Sequence, residues 1–235
     1  MLETVNIGKR YGKVWILKNI NLKIQRGEIL ALLGGNGSGK TSLLNQFAKT
    51  SKASEGEIIL DGRNTRESFA GKIGMVPHSS FLYFSLSIRE NLDFYVSLFG
   101  VNKEVKERRI NELSEIFEFF HYLDTPLRHL SEGLIKRVSI VRSIIHDPEI
   151  ILMDEPFVSL DRKFADMLVS IIKKGFSFDC LERLPKERFF IFSTHFLERA
   201  LEISSKIGVL NKGKLVALDE VGVLENNEII KFVNG

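Results

Sequence analysis

Residues 29–42 read Ile-Leu-Ala-Leu-Leu-Gly-Gly-Asn-Gly-Ser-Gly-Lys-Thr-Ser, an apolar run that leads directly into a glycine-rich loop. The loop satisfies every fixed position of the phosphate-binding pattern Gly-x-x-x-x-Gly-Lys-Thr, and the run before it has the length and composition of a buried strand. In this pattern the glycines let backbone N–H groups converge on phosphate, the lysine adds positive charge at the terminal phosphates, and the threonine hydroxyl can ligate Mg²⁺. The stretch therefore predicts a strand, a nucleotide-binding loop and a helix in succession, with ATP and GTP both open.

The loop and the start of the next helix supply the candidate phosphate contacts. We expect nucleotide contacts from Gly34, Gly35, Asn36, Gly37, Ser38, Gly39, Lys40, Thr41 and Ser42. Lys40 is also a candidate catalytic residue, and Thr41 is a candidate magnesium ligand. The alternative, a glycine-rich turn that happens to precede a lysine, is disfavoured by the strand and helix patterns on either side.

Further apolar runs indicate the fold class. Runs at 150–153, 189–192 and 207–210 have the character of buried strands, and longer helical patterns separate them. This alternation predicts a mostly parallel sheet with crossover helices. Turn sequences at Asp61-Gly62 and at 211–213 predict hairpins, and hence an antiparallel β portion. We predict an α/β P-loop NTPase core that also carries an inserted helical subdomain.

The insertion is predicted at 78–146, where helical periodicity prevails and no strand pattern is convincing. A capping box from Ser87 to Glu90 marks one helix start, and a second helix should bury a stripe of apolar side chains. That stripe consists of Val105, Ile110, Leu113, Phe117 and Phe120. A third helix should begin near Ser131. Residues 1–235 would then form a single domain, with its core in 1–77 and 147–235.

Composition excludes several classes of protein. The chain has 235 residues, is 44% hydrophobic and carries a net charge of +3, so disorder is not expected. The single cysteine, Cys180, allows no internal disulfide and should pack as a small apolar group, which fits a reducing cytosol. The basic cluster 103–109 contains two glutamates, so we expect a solvated helix face and no direct nucleic-acid binding.

Targeting features point inside the cell. The first residues lack the basic and apolar pattern of a signal peptide, so secretion of the chain is not expected. The apolar runs are far shorter than the roughly 18 residues that a membrane span requires. Any membrane association should therefore come through a partner.

Two adjacent carboxylates, Asp154 and Glu155, end the apolar run at 150–153. The carboxyl end of a parallel strand is where an open α/β sheet binds nucleotide. Because side chains alternate along a strand, the two carboxylates should project differently. One can hold Mg²⁺ through water while the other acts as general base toward the attacking water.

Residues 130–134 read Leu-Ser-Glu-Gly-Leu and open a predicted helix, with Ser131 suited to cap it. Free N–H groups at such an end attract anions. Taken alone, this feature is more often only a helix cap.

The ordered set of motifs resembles the ATPase subunits of ATP-binding cassette (ABC) transporters over essentially the whole chain. The set comprises the phosphate loop, Leu-Ser-Glu-Gly-Leu at 130–134, Leu-Met-Asp-Glu-Pro at 152–156, Ser-Leu-Asp at 159–161 and Ser-Thr-His at 193–195. The resemblance implies that ATP, with Mg²⁺, is the nucleotide. It also implies a dimer of ATPase subunits, identical or different, in which the helix tip of one subunit covers the ATP held by the loop of the other.

The resemblance also assigns roles to single residues. Glu155 corresponds to the general base, Asp154 to the magnesium-associated aspartate, and His195 to the histidine that contacts the γ-phosphate. The helix tip that contacts the ATP of the other subunit corresponds to Ser131, Glu132 and Gly133. Asp161 would couple the two sites, and Tyr11 matches the aromatic residue that stacks on adenine. An integral membrane permease would be the partner, which places the chain in the cytoplasm, peripheral on the inner face of the membrane.

This chain departs from the family pattern at three positions. His78 stands where the family has a glutamine that meets Mg²⁺ and the attacking water and senses the membrane partner. Glu132 and Leu134 replace the usual glycine and glutamine of the helix tip. Histidine can ligate a metal or accept a hydrogen bond, so His78 is retained as a coupling candidate, with slow or pH-dependent turnover a possible consequence.

The run Phe81-Leu82-Tyr83-Phe84 follows this position. It fits either core packing or a surface that receives a helix from the membrane subunit. The stretch 78–83 and two nearby segments resemble the haem-exporter ATPases of cytochrome c maturation, which slightly favours export. A soluble ABC ATPase outside transport and a weakly hydrolysing regulatory subunit remain the alternatives.

Overall fold

The computed structural model describes residues 1–64, 71–78 and 80–223. The predicted single domain also extends over 65–70, 79 and 224–235, which lie outside the described residues. Among the described helices, none has the length and apolar character needed to cross a membrane.

A six-stranded sheet forms the centre of the molecule, in the order β10-β9-β3-β8-β7-β6. Its strands are β3 (Ile29–Leu33), β6 (Ile73–Val76), β7 (Ile150–Asp154), β8 (Phe189–Thr194), β9 (Lys206–Asn211) and β10 (Lys214–Glu220). All neighbours pair in parallel except β10, which returns antiparallel to β9. All four apolar runs lie in this sheet, so the predicted mostly parallel core is confirmed.

A second, antiparallel sheet has the order β2-β1-β4-β5. Its strands are β1 (Leu2–Tyr11), β2 (Val14–Ile24), β4 (Glu55–Leu60) and β5 (Arg63–Asn64). The turn at Asp61-Gly62 joins β4 to β5, and the turn at 211–213 joins β9 to β10. Both predicted hairpins are therefore present.

Six α-helices and three short 3-10 helices complete the described part of the chain. The α-helices are α1 (Lys40–Phe47), α2 (Ile88–Ser97), α3 (Lys103–Ile116), α4 (Glu132–Ile144), α5 (Arg162–Lys173) and α6 (Leu197–Ile203). The 3-10 helices are Phe120–Tyr122, Leu127–His129 and Pro185–Glu187. Ser87 and Glu90 form the predicted capping box of α2, and Ser131 caps α4.

Alternate residues of the central strands face two separate cores. Ile151 and Met153 of β7 pack with the helices α2 to α5, whereas Ile150 and Leu152 pack with α1 and the antiparallel sheet. By the same alternation, the next residue on the α1 face of β7 is Asp154. The two-layer packing thus decides which side of the sheet receives this carboxylate.

The predicted stripe of α3 is wrong at Phe120, which is 39% exposed. The helix ends at Ile116, and Glu118 adopts a left-handed backbone with φ of 58°. This break in the helical period turns Phe119 inward, where it is fully buried.

The solvated face predicted for 103–109 is wrong at Arg109, which is 4% exposed. Its guanidinium donates to the carbonyl oxygens of Ile145 and Cys180, each at 3.0 Å. Cys180 itself is buried, and burial is the largest cause that raises the pKa of its thiol to about 12. The thiol therefore stays protonated and packs as an apolar group.

Core packing is likewise wrong for most of the run 81–84. Phe81, Tyr83 and Phe84 are 65%, 53% and 46% exposed, and only Leu82 points inward, at 7%. The ring of Tyr83 meets Phe94 of α2 edge-on, with centroids 5.5 Å apart. We call the exposed side chains of Phe81, Tyr83, Phe84 and Phe94 the aromatic patch.

Candidate functional site

A cavity of about 340 Å³ lies at the carboxyl edge of the parallel strands. Its lining consists of Ile16, Asn36, Gly37, Ser38, Gly39, Lys40, Thr41, Ser42, His78, Asp154, Glu155, Val158 and His195. The fold thus brings the predicted phosphate loop, both carboxylates and both candidate histidines to one place.

The glycine-rich loop connects β3 to α1 and packs tightly at two positions. A Cβ on Gly34, whose φ is 153°, would lie 2.3 Å from the carbonyl oxygen of Leu210 in β9. A Cβ on Gly39, whose φ is 109°, would lie 2.9 Å from Cδ2 of Leu17. Glycine is thus required here by the packing of the loop against the rest of the chain as well as by backbone conformation.

Lys40 anchors this loop from its buried position, with 7% exposure. Its Nζ donates to the carbonyl oxygens of Gly34 at 2.8 Å and Gly35 at 3.2 Å, and it lies 3.9 Å from Oε1 of Glu155. Burial lowers the pKa of Lys40, and the charges of Glu155 and Asp154 act against that shift. An anion beside this ammonium group would stabilise its charged form.

Asp154 is 1% exposed and is held by two hydroxyl groups. Thr41 Oγ1 donates to its Oδ2 at 2.7 Å, and Ser193 Oγ donates to its Oδ1. Ser193 lies opposite Asp154 in the β7–β8 ladder, on the same face of the sheet. The carboxylate is therefore fixed toward α1 rather than free in solvent.

These oxygens form a donor set that suits Mg²⁺, a hard cation that prefers carboxylate, hydroxyl, water and phosphate oxygens. In the described ranges, no group of three or more His, Cys, Asp and Glu side chains could hold a metal ion by itself. Thr41 and Asp154 therefore fit the ion only if a bound phosphate and water complete its coordination.

Glu155 leaves the strand in a left-handed conformation, with φ of 46°. Its N–H donates to Ser193 Oγ at 3.1 Å, and its Oε2 lies 3.1 Å from Nδ1 of His195. Because its other oxygen faces Lys40, the carboxylate lies between the phosphate loop and the histidine. His195 itself is 44% exposed at the rim of the cavity.

His78 also reaches this cavity, two residues beyond the end of β6, and its side chain is exposed. The strand β6 is the edge of the central sheet, next to β7. The histidine that departs from the pattern of the resemblance therefore lies within this cavity.

Seven predicted residues lie outside the cavity lining, and two of them, Gly34 and Gly35, belong to the phosphate loop itself. Tyr11, at the end of β1, is 56% exposed, and the ammonium group of Lys9 lies 4.9 Å from its ring centroid. Ser131, Glu132 and Gly133 form the start of α4, where Ser131 Oγ accepts from the N–H of Leu134 at 3.3 Å. Asp161 caps α5.

Asp161 has two partners within its own chain. Its Oδ1 accepts from the N–H of Phe164 at 2.9 Å, and its Oδ2 accepts from Arg137 at 2.9 Å. These contacts, first the one from Phe164, lower the pKa of Asp161.

Sequence reasoning missed two side chains near the carboxylates. Ser193 belongs to the motif at 193–195 but received no role there, although a polar residue in an otherwise apolar strand was an available signal. Lys136 of α4 is partly buried; burial lowers its pKa, while the charges of Asp154 and Glu155 oppose the shift. No local pattern marks Lys136, since its relation to the carboxylates depends on how α4 packs.

Comparison with known families gives one match that covers most of the chain. A family model described as ABC transporter matches residues 17–158. The maltose/maltodextrin import ATP-binding protein MalK of Mannheimia succiniciproducens is 35% identical over 98% of this chain. MalK of Escherichia coli strain K12 is 32% identical over 100% of it. The chain spans 60% and 62% of the lengths of these two relatives.

Solved structures give the same result. A dimeric ATP-binding cassette in a post-hydrolysis state, bound to ADP and phosphate, superposes with a TM-score of 0.82 at 25% identity, covering 94% of this chain and 99% of that one. The protein cbiO1 of Clostridium perfringens, part of an ABC transporter complex, superposes with a TM-score of 0.79 at 25% identity, covering 99% and 94%.

Proposed function

This chain belongs to the ABC transporter family, and we propose that it is the subunit that binds and hydrolyses ATP to drive a separate membrane permease. One observation carries the proposal. The phosphate loop, the buried Asp154 and the Glu155–His195 pair line a single cavity.

The loop supports triphosphate binding through fixed donors. Its backbone N–H groups and the amino end of α1 provide partial positive charge, and Lys40 provides a full one. Because Lys40 is already held by the loop carbonyls, little ordering is needed when the nucleotide enters. ATP is proposed over GTP from the family alone.

Hydrolysis follows from the placement of Glu155. Its carboxylate can accept a proton from a water that attacks the γ-phosphate, and His195 at the rim can contact the same phosphate. Lys40 stabilises negative charge that develops on the phosphate oxygens. A bound Mg²⁺ would neutralise phosphate charge and polarise the γ-phosphate. Positioning and charge stabilisation thus supply most of the catalytic effect.

We propose a dimer in which each nucleotide contacts both chains. The α4 tip, Ser131 to Gly133, lies outside the cavity of its own chain, as a trans role requires. A neighbouring structure of the family is itself dimeric. Tyr11 would stack on adenine, and Asp161 and His78 would couple the two sites. The two chains can be identical or different.

The aromatic patch is the proposed docking surface for the permease. Exposed aromatic side chains at this density are typical of an interaction site. The MalK relatives are named import proteins, so they lend no support to the haem-exporter resemblance or to export. We propose coupling to transport at the cytoplasmic face of the membrane without assigning a direction.

Turnover of Glu155→Gln tests hydrolysis. Replacing the general base should lower kcat by about 100-fold or more while leaving ATP binding intact. Lys40→Ala should lose nucleotide binding itself, and Arg162→Ala, at a side chain that is 94% exposed, should change neither quantity. Phosphate release measures kcat, and fluorescent-nucleotide titration measures ATP binding. Full turnover in Glu155→Gln would disprove the proposed mechanism.

Phe84→Asp tests the docking surface. Phe84 is 46% exposed, and an aspartate should weaken permease binding while sparing nucleotide binding. Leu184→Asp is the matched control, since Leu184 is 50% exposed and precedes the amino end of β8. The measurement is co-purification of membrane protein from native membranes. Equal recovery with Phe84→Asp and with the control would rule out the patch as the docking surface.

A further inference from the structure

Arg137 of α4 connects three separate segments of the chain. Its Nη2 donates to Asp161 Oδ2 and its Nη1 to Glu118 Oε2, each at 2.9 Å. Its guanidinium carbon lies 4.0 Å from the ring centroid of Phe164 in α5. The Arg137 side chain is only 12% exposed, so these contacts occur under partial exclusion of water.

Asp161 uses its two carboxylate oxygens for two different helices. Oδ1 caps the amino end of α5 through the N–H of Phe164, and Oδ2 holds Arg137 of α4. Glu118 repeats this bridging, because its second oxygen accepts from Lys163 of α5 at 2.8 Å. The start of α5 is therefore tied to α4 by two carboxylates on either side of one guanidinium. The planar fork of arginine suits such a double contact, whereas the ammonium group of lysine does not.

The tip of α4 and the loop before α5 also approach each other closely. A Cβ on Gly133 would lie 3.3 Å from the carbonyl oxygen of Ser159. Ser159 has a left-handed backbone, with φ of 68°, so the loop 157–161 has a constrained shape. The tip and this loop thus lie against each other, and the Arg137–Asp161 pair joins the same two segments.

We propose that Arg137 is a positioning residue that holds the α4 tip and the loop 157–161 in fixed relation, so that both meet the nucleotide of a second chain together. This inference rests on the proposed dimer. None of the described hydrogen-bond partners of Arg137 lines the cavity. Arg137 therefore acts through Asp161 and through α4. Its loss should therefore weaken the association of two chains and leave the binding of nucleotide to one chain unchanged.

The test uses Glu155→Gln as the parent, since slow hydrolysis preserves the ATP-bound dimer. Into it are placed Arg137→Ala, Arg137→Lys and Asp161→Asn. Asparagine is also a good helix cap, so Asp161→Asn removes the ion pair and spares the cap of α5. Arg162→Ala is the matched control, because it removes a neighbouring arginine that is 94% exposed. Sedimentation measures the dimer dissociation constant with ATP and Mg²⁺, and fluorescent-nucleotide titration at low protein concentration measures binding to the monomer.

Arg137→Ala should weaken the dimer by about tenfold or more, with Arg137→Lys between it and the parent. Asp161→Asn should weaken the dimer similarly. The double variant, which combines Arg137→Ala with Asp161→Asn, should dimerise no more weakly than either single variant. Monomer nucleotide binding should stay within about twofold of the parent in all of them. If Arg137→Ala does not fold, Arg137→Lys and Asp161→Asn carry the same comparison.

Three outcomes would overturn the inference: parent-like dimerisation of the Arg137 variants, additive losses in the double variant, or an equal loss of monomer nucleotide binding. A parent that stays monomeric with ATP and Mg²⁺ would instead overturn the proposed dimer, and the inference with it. The two failures are therefore distinguished by the parent alone.

Discussion

Lowering the pH should destabilise the protein through His146, an imidazole buried between the end of α4 and β6. His146 is 7% exposed, and its ring stacks on Phe99 with centroids 4.0 Å apart. Its Nε2 lies 3.1 Å from the carbonyl oxygen of Ile73. The pKa of His146 is lowered from 6.5 to about 4, and burial is the largest cause. The hydrogen bond with Ile73 and the charge of Asp147 oppose this shift, whereas the charges of Arg142 and Arg109 add to it.

The folded and unfolded chains bind this proton in different pH ranges. As the pH falls below about 6.5 the unfolded chain takes it up, whereas the folded chain does so only near pH 4. Between these values the unfolded state binds more protons, so the free energy of unfolding falls with the pH by up to about 1.4 kcal/mol per unit. Across the whole window this amounts to about 3 kcal/mol. That is a large part of the roughly 5–15 kcal/mol that stabilises a typical domain.

Urea unfolding at a series of pH values from about 7 down to about 4.5 isolates this contribution by comparison with His146→Phe. Phenylalanine keeps a flat ring beside Phe99 and cannot take up a proton. The variant should be less stable than the parent at neutral pH, since it loses the contact with Ile73, but its stability should fall less steeply as the pH is lowered. His121→Gln, at an exposed histidine, should follow the parent. Parallel pH profiles for the parent and His146→Phe would refute the reasoning.

Three further variants probe the proposed nucleotide site. Gly34→Ala should abolish nucleotide binding and lower the free energy of unfolding by about 2 kcal/mol or more, because its Cβ would meet the carbonyl of Leu210. Nucleotide titration measures the first effect and thermal melting the second. Ser193→Ala should lower kcat by about tenfold with little change in nucleotide affinity, because it removes a hydroxyl that holds Asp154 and the backbone of Glu155; an unchanged kcat would contradict this. His78→Ala should likewise lower kcat more than affinity, since the loop supplies the phosphate contacts; equal losses in both would contradict it.

Local patterns predicted the fold and most of the residues that line the cavity. Strand period and glycine spacing are properties of a few consecutive residues, so the four apolar runs, the loop and the capping box at Ser87 could be predicted from the amino-acid sequence alone. The order of the motifs indicated the family, which the family model confirms. Convergence of the carboxylates on the loop followed from the parallel sheet, because all carboxyl ends of its strands share one edge.

What could not be predicted depends on contacts between distant parts of the chain. Arg109 looked solvated because its acceptors, carbonyl oxygens of Ile145 and Cys180, are invisible in a local pattern. Phe120 was misplaced because a single left-handed residue, Glu118, ended the helical period. The packing that requires glycine at Gly34 involves Leu210, in a strand far along the chain. These features were set by tertiary packing, to which propensity and periodicity are blind.

The different tasks proposed for the adjacent carboxylates have a structural origin in Ser193. Asp154 is the last residue of β7 and keeps the strand alternation, so its side chain turns to the α1 face and is buried. Glu155 breaks that alternation with a left-handed backbone, a conformation that costs on the order of 1 kcal/mol for a residue with a side chain. The hydroxyl of Ser193 both donates to Asp154 and accepts from the N–H of Glu155, which stabilises that conformation. Because β8 leads directly from Ser193 to His195, one strand fixes the carboxylates and also delivers the histidine that faces them.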